Sequence, residues 1–267
     1  MRVHIGIPMH GGSISTATMQ SIHEALLQSK HQITYQCIGL SLLARNFNSL
    51  WITAFERGAD YFVLHHSDLG LQSPYPGVSW VDILVNRIRQ LNAAALSVAS
   101  PIKSPHGHFS MGLDLEAGNP YTLRRTTARE LLQLPKQFIC RADLCRLYKV
   151  DAKAAGAMII NTGGLIIDIK RVPWAGLRWP GFNIVDSIEW SLNGKPQAFT
   201  EPEDWFFSRW MHKHRLPFYA TREVILHHNG GHTFTNQGFW GELHDSTPLQ
   251  PSIEIWHGIQ AQEGTYL

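Results

Sequence analysis

Four short apolar runs separated by stretches of helical period leave the first hundred residues few ways to fold. Val3, Ile5 and Ile7 alternate with small or polar residues up to Pro8; Ile33 to Ile38, Tyr61 to His66 and Ala94 to Ala99 follow. Between them, Thr18, Ile22, Ala25 and Leu26 share one helical stripe. Leu43, Phe47, Leu50, Trp51, Ala54 and Phe55 share a second, ahead of a Gly58 suited to a helix C-terminus. Val81, Leu84, Ile88 and Leu91 make a third, and Gly11, Gly12 and Ser13 supply a turn with a capping candidate before the first helix. Strands joined by helices of this length predict an α/β fold with a parallel sheet and right-handed crossovers.

The segment ADYFVLHHSDLG then gains weight. Tyr61 to Leu64 run straight into His65, His66, Ser67 and Asp68, as expected of a buried strand delivering polar groups to its carboxyl end, where open α/β sheets bind ligands. A His or Asp after a strand also serves as a turn residue or a cap, so both meanings stand at this point.

Composition narrows the class. The chain has 267 residues, long enough for a sizeable core, with 44% hydrophobic and 16% charged residues. Mean hydropathy is -0.14, and no apolar stretch approaches the roughly 20 residues of a membrane span. The start, MRVHIGIPMHGG, passes from one basic residue directly into an alternating strand, so no secretory signal is expected. Cys37, Cys140 and Cys145 are too few for a disulfide framework and match no common zinc spacing, which points to reduced thiols and a cytoplasmic setting. Against 21 acidic residues the 23 basic ones leave a charge of +2, too small to mark a nucleic-acid binder. Arg124, Arg125 and Arg129 cluster locally, the ordinary mark of a solvated helix face.

Beyond Pro101 the rhythm breaks. Residues 101 to 126, rich in Pro, Gly, Ser and His, are expected as a long loop, followed by a short helix from Thr127 to Leu134. MIINTGGLIIDI places Gly163 and Gly164 between two apolar runs, a tight reversal that a plain hairpin would also explain. EDWFFSRWMHKH predicts a helix starting near Glu203, and a final strand from Val224 to Leu226 ends in His227, His228, Asn229, Gly230 and Gly231.

In this order, the IPMHGG turn, a helix opening with Arg45 and Asn46, YFVLHHSDLG, NTGGLIIDIKRV, PEDWFFSRW and HHNGG resemble the glycosyltransferases of the GT-A fold, the nucleotide-diphospho-sugar transferase superfamily, and family 2 in particular. The likeness covers roughly residues 2 to 232. It implies a Rossmann-like, mixed but mostly parallel central sheet flanked by helices. Residues 1–100 would form the nucleotide-sugar half, 101–232 the acceptor and catalytic half of the same domain, and 233–267 a C-terminal extension. The implied activity is hexosyl transfer from a nucleotide-diphosphate sugar, a UDP-sugar in the first instance, to a hydroxyl acceptor. His66, Ser67 and Asp68 fall where the family carries Asp-x-Asp, so histidine replaces the first aspartate while Asp68 keeps the second.

Residue roles follow from the resemblance and its chemistry. A divalent ion neutralises the charge that grows on the leaving diphosphate. Asp68 is the expected hard ligand, with His228 or its neighbour His227 from the last strand, and His66, as further donors; imidazole favours manganese over magnesium. Strand alternation lets only one of His227 and His228 face the ion, and one core and one solvated histidine would equally suit such a pair. Asp204 is the expected general base with Glu203 next, although acidic residues in a first helical turn also offset the helix dipole. Donor contacts are expected from Pro8, His10, Gly11, Arg45, Asn46, His66 and Ser67, with Gly163 and Gly164 under the donor sugar. Trp174, Trp179, Trp190, Trp205 and Trp210 suit either sugar stacking or the core. The basic and His-bearing loop from Lys103 to Arg125 would admit a polyanionic acceptor such as DNA as readily as a cell-surface glycan. A metal-dependent nucleotide-sugar hydrolase or nucleotidyltransferase, or a non-catalytic sugar or nucleotide binding module, would use the same residues.

Overall fold

The computed structural model describes residues 1–9, 11–103, 106–117, 122–171, 174, 176, 179–190, 194–230, 233–238 and 253–255. The N-terminal part follows the predicted alternation, with β4 as an added strand that was not expected: β1 (Arg2–Pro8), α1 (Thr16–Gln28), β2 (Gln32–Ile38), α2 (Leu43–Glu56), β3 (Tyr61–His65), β4 (Leu69–Gln72), α3 (Trp80–Gln90) and β5 (Ala95–Val98). The cap of α1 is Ser15 rather than Ser13, its hydroxyl accepting from the Thr18 amide at 3.1 Å. Gly58 stands just past α2 with φ of +61°, the left-handed conformation that ends a helix at little cost in glycine.

Residues 101 to 126 are not the long loop expected of them. They hold β6 (His108–Asp114) and β7 (Thr122–Thr127), an antiparallel pair, with Phe109, Met111 and Leu113 fully buried. Gly112 makes the close approach possible: a Cβ there would lie 2.3 Å from the Arg124 carbonyl. The arginine cluster is correspondingly not one helix face. Arg124 and Arg125 lie on β7, and Arg124 pairs with Glu130 at 2.8 Å while covering the Tyr148 ring.

The chain continues through α4 (Ala128–Gln133), α5 (Arg141–Tyr148), β8 (Met158–Ile159), β9 (Gly164–Asp168), β10 (Val185–Trp190), β11 (Pro196–Glu201), α6 (Glu203–Lys213), β12 (Phe218–Thr221), β13 (Ile225–Asn229), β14 (Thr233–Thr235) and β15 (Ile253–Ile255). The central sheet has the order β12-β5-β9-β3-β1-β2. All its strands run parallel except β9, which is antiparallel to both β3 and β5. A hairpin at Gly163 and Gly164 is ruled out, because β8 pairs with β6 in a separate sheet while β9 enters the central one. Both parts of the chain therefore contribute strands to one sheet, a mixed, mostly parallel α/β arrangement.

The two faces of that sheet carry separate cores. Ile5, Ile7, Val63, Leu96 and Ile166 pack with Ile22 and Ala25 of α1 and Val81, Leu84 and Ile88 of α3. Phe62, Leu64, Leu165 and Ile167 pack with Phe47, Leu50 and Ala54 of α2, Leu144 of α5 and Phe207 of α6. Each of the Val, Leu, Ile and Phe side chains contributes about 1.5–3 kcal/mol on burial. Trp51, Trp174, Trp179 and Trp210 join the second core as an edge-to-face and stacked cluster with centroids 4.7–5.9 Å apart in successive pairs. Trp205 is buried and Trp190 is exposed, so core packing accounts for most of the tryptophans. No helix among the described residues is long and apolar enough to cross a membrane.

Two strand histidines store an acid sensitivity. His4 and His65 are fully buried, each with Nε2 lacking a partner, and burial pushes both imidazoles down to about 4. Both are neutral in the fold, whereas the unfolded chain takes up a proton below about 6.5. The stability tied to each is therefore complete above pH 6.5 and lost as pH falls towards 4, on the order of 3 kcal/mol for His4. Replacing His4 by Leu is expected to flatten the fall in melting temperature between pH 7 and pH 4.5. An unchanged slope in that window would dismiss the assignment.

Candidate functional site

The polar groups gather at the carboxyl edge of β3 because three elements end or begin there. β3 is buried on both faces and stops at His65, whose ring lies 5.6 Å from that of Trp80. The antiparallel β9 starts at the same edge, Gly164 facing His65 across the ladder. The turn between β3 and β4 is fixed by backbone bonds from His66 N to Gly163 O at 2.9 Å, Ser15 N to Ser67 O at 2.7 Å and Asn229 N to Asp68 O at 2.9 Å.

Register then brings Asp68 and His228 together. β13 pairs antiparallel with β4, His228 opposite Leu69 and His227 opposite Gly70. His228 Nε2 lies 3.3 Å from Asp68 Oδ2, and its Nδ1 lies 2.7 Å from the Pro101 carbonyl. Lys103 pairs with the same Oδ2. Burial alone would raise the Asp68 carboxyl, but hydrogen bonds and charge from His228 and Lys103 outweigh it and hold the group well below the usual carboxylate range. Three residues after the end of β5, the Pro101 carbonyl thus fixes the imidazole orientation, and two residues further on Lys103 supplies the ammonium.

His227 does not join them. Alternation along β13 turns it to the other side, where it lines a recess of about 270 Å³ with Gln20, Glu24 and Gln72. His66, the other expected donor, packs its ring 5.4 Å from that of Phe47, and its Nε2 is enclosed without a partner. Burial pushes this imidazole down to about 4 despite the nearby Asp68 charge. Among the described residues no three His, Cys, Asp or Glu side chains gather to hold a metal.

Asp68 and His228 still suit a divalent ion whose other positions belong to phosphate and water. Their 3.3 Å separation is close to the roughly 3 Å expected of adjacent ligands on an ion bound at about 2.1 Å. The Pro101 carbonyl is the kind of outer partner that holds a ligating imidazole in its Nδ1–H tautomer. With Nδ1–H held by that carbonyl, Nε2 hydrogen-bonds Asp68 Oδ2 in the ion-free site, and a bound cation would take the place of the proton between them.

The other expected site residues divide. Gly163 closes under His66: a Cβ there would stand 2.6 Å from Asn161 Oδ1 and 3.2 Å from His66 Nδ1, so the close approach requires glycine. Gly164 packs against Val98. Pro8 ends β1, and Gly11 has φ of +66° in the turn after it with open space around it. His10 lies outside the described residues. Arg45 is exposed on α2. Asn46 turns inward instead, its amide bonding both the N–H and the C=O of Leu40 at 3.0 and 3.2 Å, so it braces the link from β2 to α2 and is spent on the backbone. Ser67 is partly buried in the β3–β4 turn.

Glu203 and Asp204 open α6 after Pro202, at the edge reached by Thr162. Glu203 is only partly covered and accepts from the Thr162 hydroxyl at 3.3 Å; burial raises its carboxyl. Asp204 is buried, its Oδ2 accepting from the Ser110 hydroxyl at 3.2 Å and its Oδ1 from the Trp205 amide at 2.9 Å. Burial first and the Glu203 charge second raise it well above the ordinary carboxylate range. Lys103, Thr162, Ser110 and the Pro101 carbonyl were not singled out by sequence; Lys103 stood out only as part of a basic stretch.

No protein-family model matches the chain, and no curated protein sequence matches it. Among solved structures, A197 from STIV is similar over 94% of this chain and 99% of that one, at 11% identity and a TM-score of 0.47. A likeness that distant says nothing of chemistry.

Proposed function

We propose that the chain is a metal-dependent glycosyltransferase of the GT-A kind, moving a sugar from a nucleotide-diphosphate donor, a UDP-sugar in the first instance, to a hydroxyl acceptor. The observation that carries this reading is the convergence of Asp68 and His228 at the carboxyl edge of the sheet, the place where open α/β folds bind nucleotides. A divalent ion held there, manganese in preference to magnesium, would neutralise the charge growing on the leaving diphosphate. Asp68 offers it an anionic oxygen, and His228 a ring whose orientation the Pro101 carbonyl fixes. Gly163 keeps the floor beside His66 clear of side-chain bulk.

The two carboxylates of α6 divide the remaining work by access. Glu203 is open enough to meet an acceptor hydroxyl and accept its proton, and its raised carboxyl makes it a stronger base than an ordinary glutamate. Asp204, spent on Ser110 and the Trp205 amide, supports it from behind. This reverses the order expected from sequence, in which Asp204 came first.

The deciding experiment is a thermal-shift panel of nucleotides and nucleotide sugars with and without manganese, followed by product analysis for any donor that stabilises the protein. A ligand at 100 times its dissociation constant adds about 2.7 kcal/mol. Stabilisation by one nucleobase series, enhanced by manganese, with a glycosylated product is the expected outcome. Free sugar alone would make the protein a hydrolase, and no stabilisation by any member would remove the reading.

A further inference from the structure

Lys103 and His228 approach one oxygen. The Lys103 ammonium pairs with Asp68 Oδ2, the atom that His228 Nε2 faces at 3.3 Å. An ammonium therefore already stands at the corner of Asp68 that a divalent ion would share with His228. Both partners of this pair are more than a third exposed, at 35% and 40%, so the pair opens at little cost. A lysine ammonium is a compact charge on a flexible stem, and it binds phosphate oxygens as a point charge.

We propose that Lys103 is a resident cation of the site that changes partner during binding. It neutralises Asp68 before a divalent ion is present, yields the carboxylate when the ion enters, and takes an oxygen of the incoming diphosphate as its new partner. The inference rests on the reading of Asp68 and His228 as the ion-holding pair. Its consequence is an order of binding: the ion alone must displace a built-in positive charge and binds weakly, whereas with a diphosphate present the displaced ammonium gains an anionic partner and the ion is retained.

The test uses the full chain and two probes. Manganese chloride is titrated into wild type, Lys103→Met, Lys103→Arg and Asp68→Asn, with free manganese followed by electron paramagnetic resonance; pyrophosphate is then titrated calorimetrically into protein saturated with manganese. Lys103→Met is expected to bind manganese alone about fivefold more tightly, because no salt bridge has to open. The same variant is expected to bind pyrophosphate about tenfold more weakly, because a charge-assisted contact is gone. Lys103→Arg should restore wild-type behaviour towards both probes, and Asp68→Asn should bind no manganese. Opposite signs on the two probes are the signature, since a merely structural lysine would move both in one direction or neither. Loss of manganese in Asp68→Asn with no change in Lys103→Met overturns the role of Lys103 alone. Undiminished manganese binding by Asp68→Asn overturns the ion-holding pair and this proposal together.

Discussion

On the proposed transferase reading, asparagine in place of Asp68 is expected to lower sugar transfer by roughly 100- to 1,000-fold while barely moving the melting temperature. The amide keeps the shape of the carboxylate and removes its charge, so it would withdraw the anionic ligand that the proposed ion takes from Asp68 and the stabilisation of the leaving diphosphate with it. Stability should hold because the side chain is 40% exposed, and an ion pair in that setting contributes only about 0–1 kcal/mol. Turnover measured against manganese concentration, alongside a thermal melt, separates the two effects. Activity within tenfold of wild type at saturating manganese would mean that Asp68 is a turn residue paired with Lys103 and His228 and nothing more.

The fold was legible where burial imposes a simple period. The two-residue alternation of Val3, Ile5 and Ile7 and the helical stripe through Phe47, Leu50 and Ala54 mark strands and helices because one side of each packs on a core. The antiparallel entry of β9 was not legible. Its apolar run, Leu165 to Ile167, is buried on both faces and reads alike in either direction; what sets its direction is the detour of the preceding chain through the sheet of β6, β7 and β8. Two strands of that sheet, β6 and β7, hid in the stretch from 101 to 127, because Gly112 and the Pro and Ser around it look like loop. Gly112 is there because the Arg124 carbonyl leaves no room for a Cβ.

For the site, His228 and Asp68 lie 160 positions apart, and only the register of β13 on β4 makes them neighbours. Sequence supplied the types and the strand ends, and the choice between His227 and His228 followed from alternation once β13 had a partner. Asn46 shows the opposite limit: a polar residue at the start of a helix reads as a ligand contact, but its amide is consumed by Leu40. Lys103 read only as part of a basic stretch because nothing in its neighbours announces that the segment after β5 folds back over the β3 edge.

Glutamine at position 203 is expected to reduce kcat by roughly 100- to 1,000-fold with little change in donor affinity, whereas asparagine at 204 should leave kcat within about tenfold and move its pH dependence. The asymmetry comes from access: Glu203 is partly open with one hydroxyl donor, and Asp204 is enclosed by Ser110 and the Trp205 amide. The adjacent carboxylates titrate as a pair, in which the Glu203 charge adds to burial in raising Asp204. The base works ionised, so activity should rise with pH through an apparent value above the usual carboxylate range. Asparagine at 204 removes the higher step of the pair and leaves Glu203 to ionise alone, which should carry that acidic limb to lower pH. The same change should stabilise the protein near neutral pH. A carboxyl raised in the fold is protonated more fully there than in the unfolded chain, so its burial weakens the fold as pH climbs from the unfolded value, and asparagine abolishes that loss. Full activity in Glu203→Gln, or a limb that stays in place in Asp204→Asn, would mean that the pair only opens the helix.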